Sequence, residues 1–202
     1  MSTKTALRLS RRGGAALCVI ALLWAWWWPA RPSAQENPAP FAAETARAEQ
    51  AMNRLQQALV AKLMAAMKAG GPAAAVTVCR DEAVAIAEGV ARENDLAIGR
   101  TSHRVRNPAN APRPWARSIV EASAGAKAAA ERLRVVDLGD RVGVLRPIGT
   151  IDMCTQCHGD AKAVRQNIGG VLAEAYPRDR ATGFSAGDLR GWMWAEVPKP
   201  AK

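Results

Sequence analysis

Met52, Leu55, Leu59, Leu63 and Met67 recur at spacings of three and four, which lays one apolar stripe along a helix spanning 42–69. Met64 falls in the same helical run, and with Met52 and Met67 it reads as core. Gly70-Gly71-Pro72 ends that helix, and Pro72 suits the first turn of the next, over 73–93. Its buried stripe is Val76, Cys79, Ala83, Ile86 and Val90, so Cys79 is expected to point inward. Gly99 to Pro114 reads as a polar loop: it holds three prolines, and Asn107-Pro108 disfavours helix. A third helix is expected from Trp115 to Arg132. Leu133–Leu138 and Arg141–Leu145 are Val/Leu-rich runs around Gly139-Asp140, the signature of a two-residue hairpin. A short segment then carries Cys154 to His158. A helix over 161–175 follows, with Val164, Ile168 and Leu172 inward and Tyr176-Pro177 stopping it. Pro177 to Asp188 reads as a loop, and Arg190 to Val197 as a final strand with Trp192 and Trp194 on one face. No internal repeat is visible. Helices and antiparallel strands in this order predict one α+β domain.

The N-terminus has a different pattern. Residues 1–34 have the layout of a secretory signal, a basic stretch followed by an apolar run from Ala15 to Trp28. As a helix that run is about 21 Å long, short of the roughly 30 Å hydrocarbon core, which favours cleavage. The sites are poor, with Pro32 two before Ala34 and Trp28 two before Ala30, so retention as a membrane anchor through residues 15–28 is the other reading. Both put the domain outside the cytoplasm, in the periplasm. The chain thus divides into a signal or anchor over 1–34, a Pro- and Ala-rich linker over 35–44, a domain over 45–198 and a tail over 199–202.

This division changes how composition reads. The 202 residues hold 28 Lys and Arg against 18 Asp and Glu, a net charge of +10. Lys4, Arg8, Arg11, Arg12 and Arg31 lie in the acid-free leader, and without them the remainder is +5. The excess of base is therefore partly a targeting feature, and no nucleic-acid partner is expected. Four of the seven tryptophans (Trp24, Trp26, Trp27 and Trp28) also fall in the leader. The composition excludes a polytopic membrane protein, a collagen-like chain and a wholly disordered one. Past the leader only Cys79, Cys154 and Cys157 remain, an odd thiol count that an oxidising compartment must account for.

Cys154-Thr155-Gln156-Cys157-His158 reads as an attachment site for a c-type haem. Two thiols three positions apart in a helical turn each add to one vinyl group of the porphyrin, and the adjacent histidine supplies an axial nitrogen to the iron. Zinc is a weaker reading: it wants four ligands, and only Cys79 and His103 are left to complete the set. A thioredoxin-like redox pair lacks its strand context. The sixth iron position stays open on the residues alone. Cys79 competes with His103, and an inert buried thiol is the other reading of Cys79. Met153 adjoins the attachment site and is badly placed for the sixth position. Arg100, Arg104, Arg106, Arg146, Arg178 and Arg190 are all available to neutralise propionates. Asn107 and Asn110 read as loop-shaping residues, and Asp188 as a residue that pins the last strand. Nothing in the chain suggests a nucleophile–base pair or paired carboxylates, so an enzyme is not expected.

Three ordered stretches go further: Gly99-Arg100-Thr101-Ser102 with Arg106-Asn107-Pro108-Ala109-Asn110 and Trp115; Pro147 through Cys154–Gly159; and Tyr176-Pro177-Arg178-Asp179 with Gly187-Asp188-Leu189-Arg190-Gly191. With the helix around Cys79 they resemble the Tll0287-like haem-domain family, over roughly 45–198. The resemblance implies a PAS-like α+β fold, an antiparallel sheet with flanking helices, carrying one covalent haem c. It implies an unusual His/Cys axial pair, with His158 proximal and Cys79 distal. Ala116 stands after Trp115 where the family pattern has an acidic residue. The resemblance further implies a monohaem cytochrome acting as a redox or gas (CO or NO) sensor toward a separate periplasmic redox or signalling protein. Plain electron transfer between periplasmic partners is the alternative.

Overall fold

The computed structural model describes residues 40–201. The expected signal or anchor over 1–34, its apolar run 15–28 included, lies outside the described residues. The long first helix, α1 (Ala42–Asp81), follows the apolar stripe, with Ala48, Ala51, Met52 and Leu55 buried. By length and composition α1 is also apolar enough to cross a membrane, with a mean hydropathy of 1.2. Its N-terminal half instead packs those side chains into the domain core. Met64 is a correction: with Val60 it is nearly half exposed, at 47 % and 45 %.

The break expected at Gly70-Gly71-Pro72 is present. Gly70 has φ −157° and Gly71 has φ +67° with ψ −160°, a backbone conformation open to glycine alone. The second expected helix is itself divided at Glu82, whose amide still donates to Val78 O, and α2 (Ala83–Asn94) continues from there. The stripe from Val76 to Val90 is split accordingly. Ile86 and Val90 pack with the sheet, whereas Val76 packs with Val164, Ile168, Leu172 and Tyr176.

The sheet has four antiparallel strands: β1 (Ala97–Thr101), β2 (Arg134–Asp137), β3 (Arg141–Gly149) and β4 (Leu189–Pro198), in the spatial order β1-β4-β3-β2. The fold is thus α+β, an antiparallel sheet with flanking helices. The hairpin forms as predicted, closed by Leu138 N–H to Arg141 O at 3.0 Å, with Gly139 at φ +90°. β3 runs past its predicted end through Pro147, which pairs only with Trp192 of β4. β2 ends opposite Leu145, so the missing N–H of Pro147 lies where the strand has no second neighbour.

β1 corrects the loop expected from Gly99. Its polar residues hid the strand, and Gly99 is there because Trp194 lies against it: a Cβ at 99 would sit 2.7 Å from the indole. The third helix is also corrected. Instead of running from Trp115 to Arg132, α3 spans only Arg117–Ala122 after a 3-10 turn. Ser123 ends it, donating to Val120 O and accepting from the Trp192 indole N–H at 3.1 Å. Trp192 and Trp194 share the face that carries Ala116, Val120, Leu145 and Leu189. α1 and α2 cover the opposite face, on Ile98, Val142, Val144 and Met193.

Candidate functional site

The site is built where the C-terminal half of α1 meets two further helices, α4 (Asp152–His158) and α5 (Ala161–Ala175). Asp160 separates these helices by capping α5, its carboxylate accepting from Lys162 and Ala163 N–H. Cys154 and Cys157 are free thiols one turn apart on α4, both half-buried, and Cys157 packs against the Val76, Val164, Ile168, Leu172 and Tyr176 cluster. Cys79, the third free thiol, lies one turn beyond Val76 on α1 and so at the edge of the same cluster. It is half-buried, and its charge acts on Cys157 and Tyr176 of this second cluster. Burial pushes the Cys157 thiol up from its ordinary value, against the pull of Arg106, and charge on Cys79 or Cys154 pushes it further. Cys157 is therefore an electrostatic neighbour of both other thiols.

The orphan carbonyls at the end of α4 are taken by the loop that follows α5 and by Arg106 from the loop after β1. Phe184 N–H donates to His158 O at 3.0 Å, Gly183 N–H to Gly159 O at 2.6 Å, and the Arg106 guanidinium to Cys157 O at 2.5 Å. The same loop orients the imidazole: His158 Nδ1 lies 2.8 Å from Ala181 O. A carbonyl only accepts, so Nδ1 carries the proton and Nε2 keeps its lone pair for a metal. Burial holds the His158 pKa well below 6.5, and Arg190, Arg106 and Arg100 add to the effect, so the ring is neutral at physiological pH. Asp179 fixes the loop. It pairs with Arg106 at 3.1 Å and accepts from Ala181 N–H at 2.7 Å.

The six arginines separate into different roles. Arg100, Arg106 and Arg190 act on His158, and burial depresses the Arg100 and Arg190 pKa values, the latter to about 10. Arg104 instead lies over the Phe184 ring at 4.2 Å and donates to Thr182 O. Arg146 ties β3 to α1 through Asn53 at 2.6 Å and Gln56 at 3.0 Å, and Arg178 is exposed. His103 accepts from Arg104 Nε at 3.1 Å and stands edge-on to Phe184. Its neighbouring charges are Arg104, Arg190 and Arg180, and no thiol is among them. Among the described residues no group of three or more His, Cys, Asp or Glu side chains is placed to hold a metal ion, so the zinc reading finds no ligand set. Two open clefts, of about 480 and 540 Å³, lie elsewhere.

Some expected roles are structural. Asn107 caps a 3-10 turn by accepting from Ala109 N–H, and Asn110 O accepts from Thr101. Asp188 pins the start of β4 through Lys127 and Ser185 N–H. Ala116 is fully buried against the tryptophan face, where an acid would have no partner to meet it. The parts played by Tyr176, Asp179, Ala181 and Phe184 are not read from residue chemistry. Only the Tyr176-Pro177-Arg178-Asp179 motif flagged that stretch, and the backbone carbonyl of Ala181 has no sequence signature.

Fold and site together define an α+β domain built around a Cys-Xaa-Xaa-Cys-His helix that faces a third thiol. The chain matches the Tll0287-like family over residues 34–198 and belongs to it. Among solved structures it is similar to the crystal structure of the cyanobacterial heme-protein Tll0287. The identity is 23 % and the TM-score 0.59, over 79 % of this chain and 98 % of that one. No curated protein matches it.

Proposed function

We propose that this chain is an exported, monohaem c-type cytochrome with His/Cys axial ligation, serving as a redox or gas sensor. The observation that carries the reading is the placing of Cys79 on α1 within electrostatic reach of Cys157 on the Cys154–His158 helix α4, beside a surplus of half-buried guanidinium charge. The donor set suits a haem. Two thiols one helical turn apart are available for thioethers, and an imidazole has its Nε2 free. A third thiol, Cys79, would supply a second donor to the iron, and Val76, Val164, Ile168 and Leu172 form an apolar wall. Membership of the family and the heme-protein neighbour support the same group.

When bound, a haem would supply a one-electron couple and an affinity for small gases such as CO or NO. The chain's own residues set the terms. Ala181 O holds the Nδ1 proton of His158 and so keeps the ring in the ligating tautomer. Cys79, as an anionic donor, favours the ferric state and lowers the potential, and coordination explains a lone thiol in an oxidising compartment. An anionic Cys79 would hold reduced iron less firmly than oxidised iron, which is the basis for expecting a small gas to compete with it in the reduced protein. The protein signals to a separate periplasmic redox or signalling partner and has no enzymatic turnover of its own.

Cys79→Ser, read by ferric absorption and electron paramagnetic resonance, tests the ligand. The thiolate-type low-spin signal is expected to vanish; its persistence would remove Cys79 from the iron and leave His103. Spectra of the reduced protein under CO and NO test the role. Gas binding supports a sensor, whereas unchanged six-coordination in both redox states would make the protein an electron carrier. Turnover of peroxide by the ferric protein would make it an enzyme.

A further inference from the structure

Arg106 reaches the Cys157 carbonyl, Arg190 lies over the ring of Phe184, whose amide holds His158 O, and Arg100 adds its charge to theirs; the described residues neutralise one of the three. Arg106 pairs with Asp179 at 3.1 Å, the two side chains only 10 % and 11 % exposed, and its remaining reach goes to Cys157 O. Arg100 lies on β1 opposite Met193, on the sheet face that α1 covers, and makes no ion pair or side-chain hydrogen bond among the described residues. Arg190, at the start of β4, has only a 3.4 Å contact to Arg104 O and the Phe184 ring at 4.9 Å. Its backbone is fixed, with Arg190 O accepting from Ser102 Oγ at 2.8 Å. Half-buried like charges side by side are costly unless something anionic meets them. Arg104 is already met by Thr182 O and Arg146 by Asn53 and Gln56, while Arg178 and Arg180 of this loop are exposed to solvent.

We propose that Arg100 and Arg190 form a two-site carboxylate clamp, each guanidinium seating one of the two haem propionates, while Arg106 serves as a structural tie for the loop. This rests on the haem reading and deepens it: two unpaired cations meet a ligand with two carboxylates. The planar fork of arginine matches a carboxylate with two parallel hydrogen bonds, which a point charge does not supply. The clamp fixes which edge of the porphyrin faces β1 and β4, leaving the thioether edge to α4. It also places two positive charges beside the redox centre, opposing the effect of the Cys79 thiolate on the potential.

The test uses the covalently matured holoprotein and the propionate bending bands of its resonance Raman spectrum. Arg100→Gln and Arg190→Gln are each expected to shift one band, with haem mass unchanged, while Arg178→Gln shifts neither. Bands of both Gln variants that superimpose on the wild type would overturn the clamp. Should a Gln variant mature too poorly to measure, the Lys variant is read instead. It keeps the charge and loses the fork, so a smaller shift of the same band is expected and no shift overturns the clamp. Wild-type bands should also ignore added inorganic phosphate; bands that move with it would show that the two arginines hold an exchangeable anion. A wild-type protein with no Soret band and no gain of haem mass fails the haem reading itself, a result distinct from any of these.

Discussion

Glu196 and Asp179 are the two carboxylates whose surroundings set testable limits on stability. Glu196 is 4 % exposed on β4. Burial pushes its carboxyl up, but hydrogen bonds from Arg113 and the Trp115 indole, both at 2.8 Å, outweigh it, and Arg113 and Arg141 add their charges. The net result is a value below the ordinary 4.5. A depressed carboxyl contributes stability that is fully present above its unfolded pKa and is lost as pH falls through the folded one. Urea midpoints should therefore decline as pH falls below the ordinary 4.5 and through the depressed folded value, and Glu196→Gln should flatten that limb while lowering the neutral plateau. Asp179→Asn leaves Arg106 half-buried without its partner and loosens Ala181, the residue that orients His158. It should cost about 3 kcal/mol in urea unfolding and raise the high-spin fraction of the holoprotein. Thr150 Oγ1 is buried with no hydrogen-bond partner, so Thr150→Val should be neutral or slightly stabilising by thermal melting.

At the scale of elements, the break in α1 joins core and site. The half before Gly70 packs on the sheet, and the half after Gly71 carries Val76 and Cys79 to α5 and α4. Gly71→Ala places a Cβ at φ +67° and ψ −160° and should cost about 1–3 kcal/mol in chemical unfolding. In the holoprotein it should also perturb the Cys79-dependent signal, because the direction of the second half changes. The strap from Tyr176 to Asp188 is the other hinge of the site. It has no regular structure, yet its backbone amides and carbonyls cap α4 and hold the imidazole. Gly99 does a similar service in β1: Gly99→Val would drive a side chain into the Trp194 ring and should cost about 1–3 kcal/mol, measured by thermal unfolding.

For the whole molecule, the sheet separates two apolar bodies. One side rests on α1 and α2, the other on α3 and the tryptophans, and the site hangs from the end of the first. On the proposed function the two iron ligands would come from α1 and α4, far apart in the chain, and relative movement of these helices would then carry a change at Cys79 to the rest of the domain. If the sensor reading holds, hydrogen exchange in the Gly70–Asp81 half of α1 should be faster in the reduced, CO-bound protein than in the ferric one. Equal exchange in the two states would favour an electron carrier, for which little reorganisation is wanted.

Periodicity was enough for the helices around Met52, Val76 and Val164, and for the Gly139-Asp140 hairpin, because burial of one face and turn chemistry are local demands written into spacing. The Cys154–His158 motif was legible for the same reason: its chemistry needs a single helical turn. β1 was not, since a strand of Ala, Ile, Gly, Arg and Thr has no pattern until Trp194 of β4 lies across Gly99. Nor was the length of α3, which Ser123 and Trp192 settle between them. The surroundings of Cys79, His103 and the six arginines are decided by the fold alone, because the charges and apolar walls around a thiol or a guanidinium arrive from α1, β1, β4 and the strap only when the chain is packed.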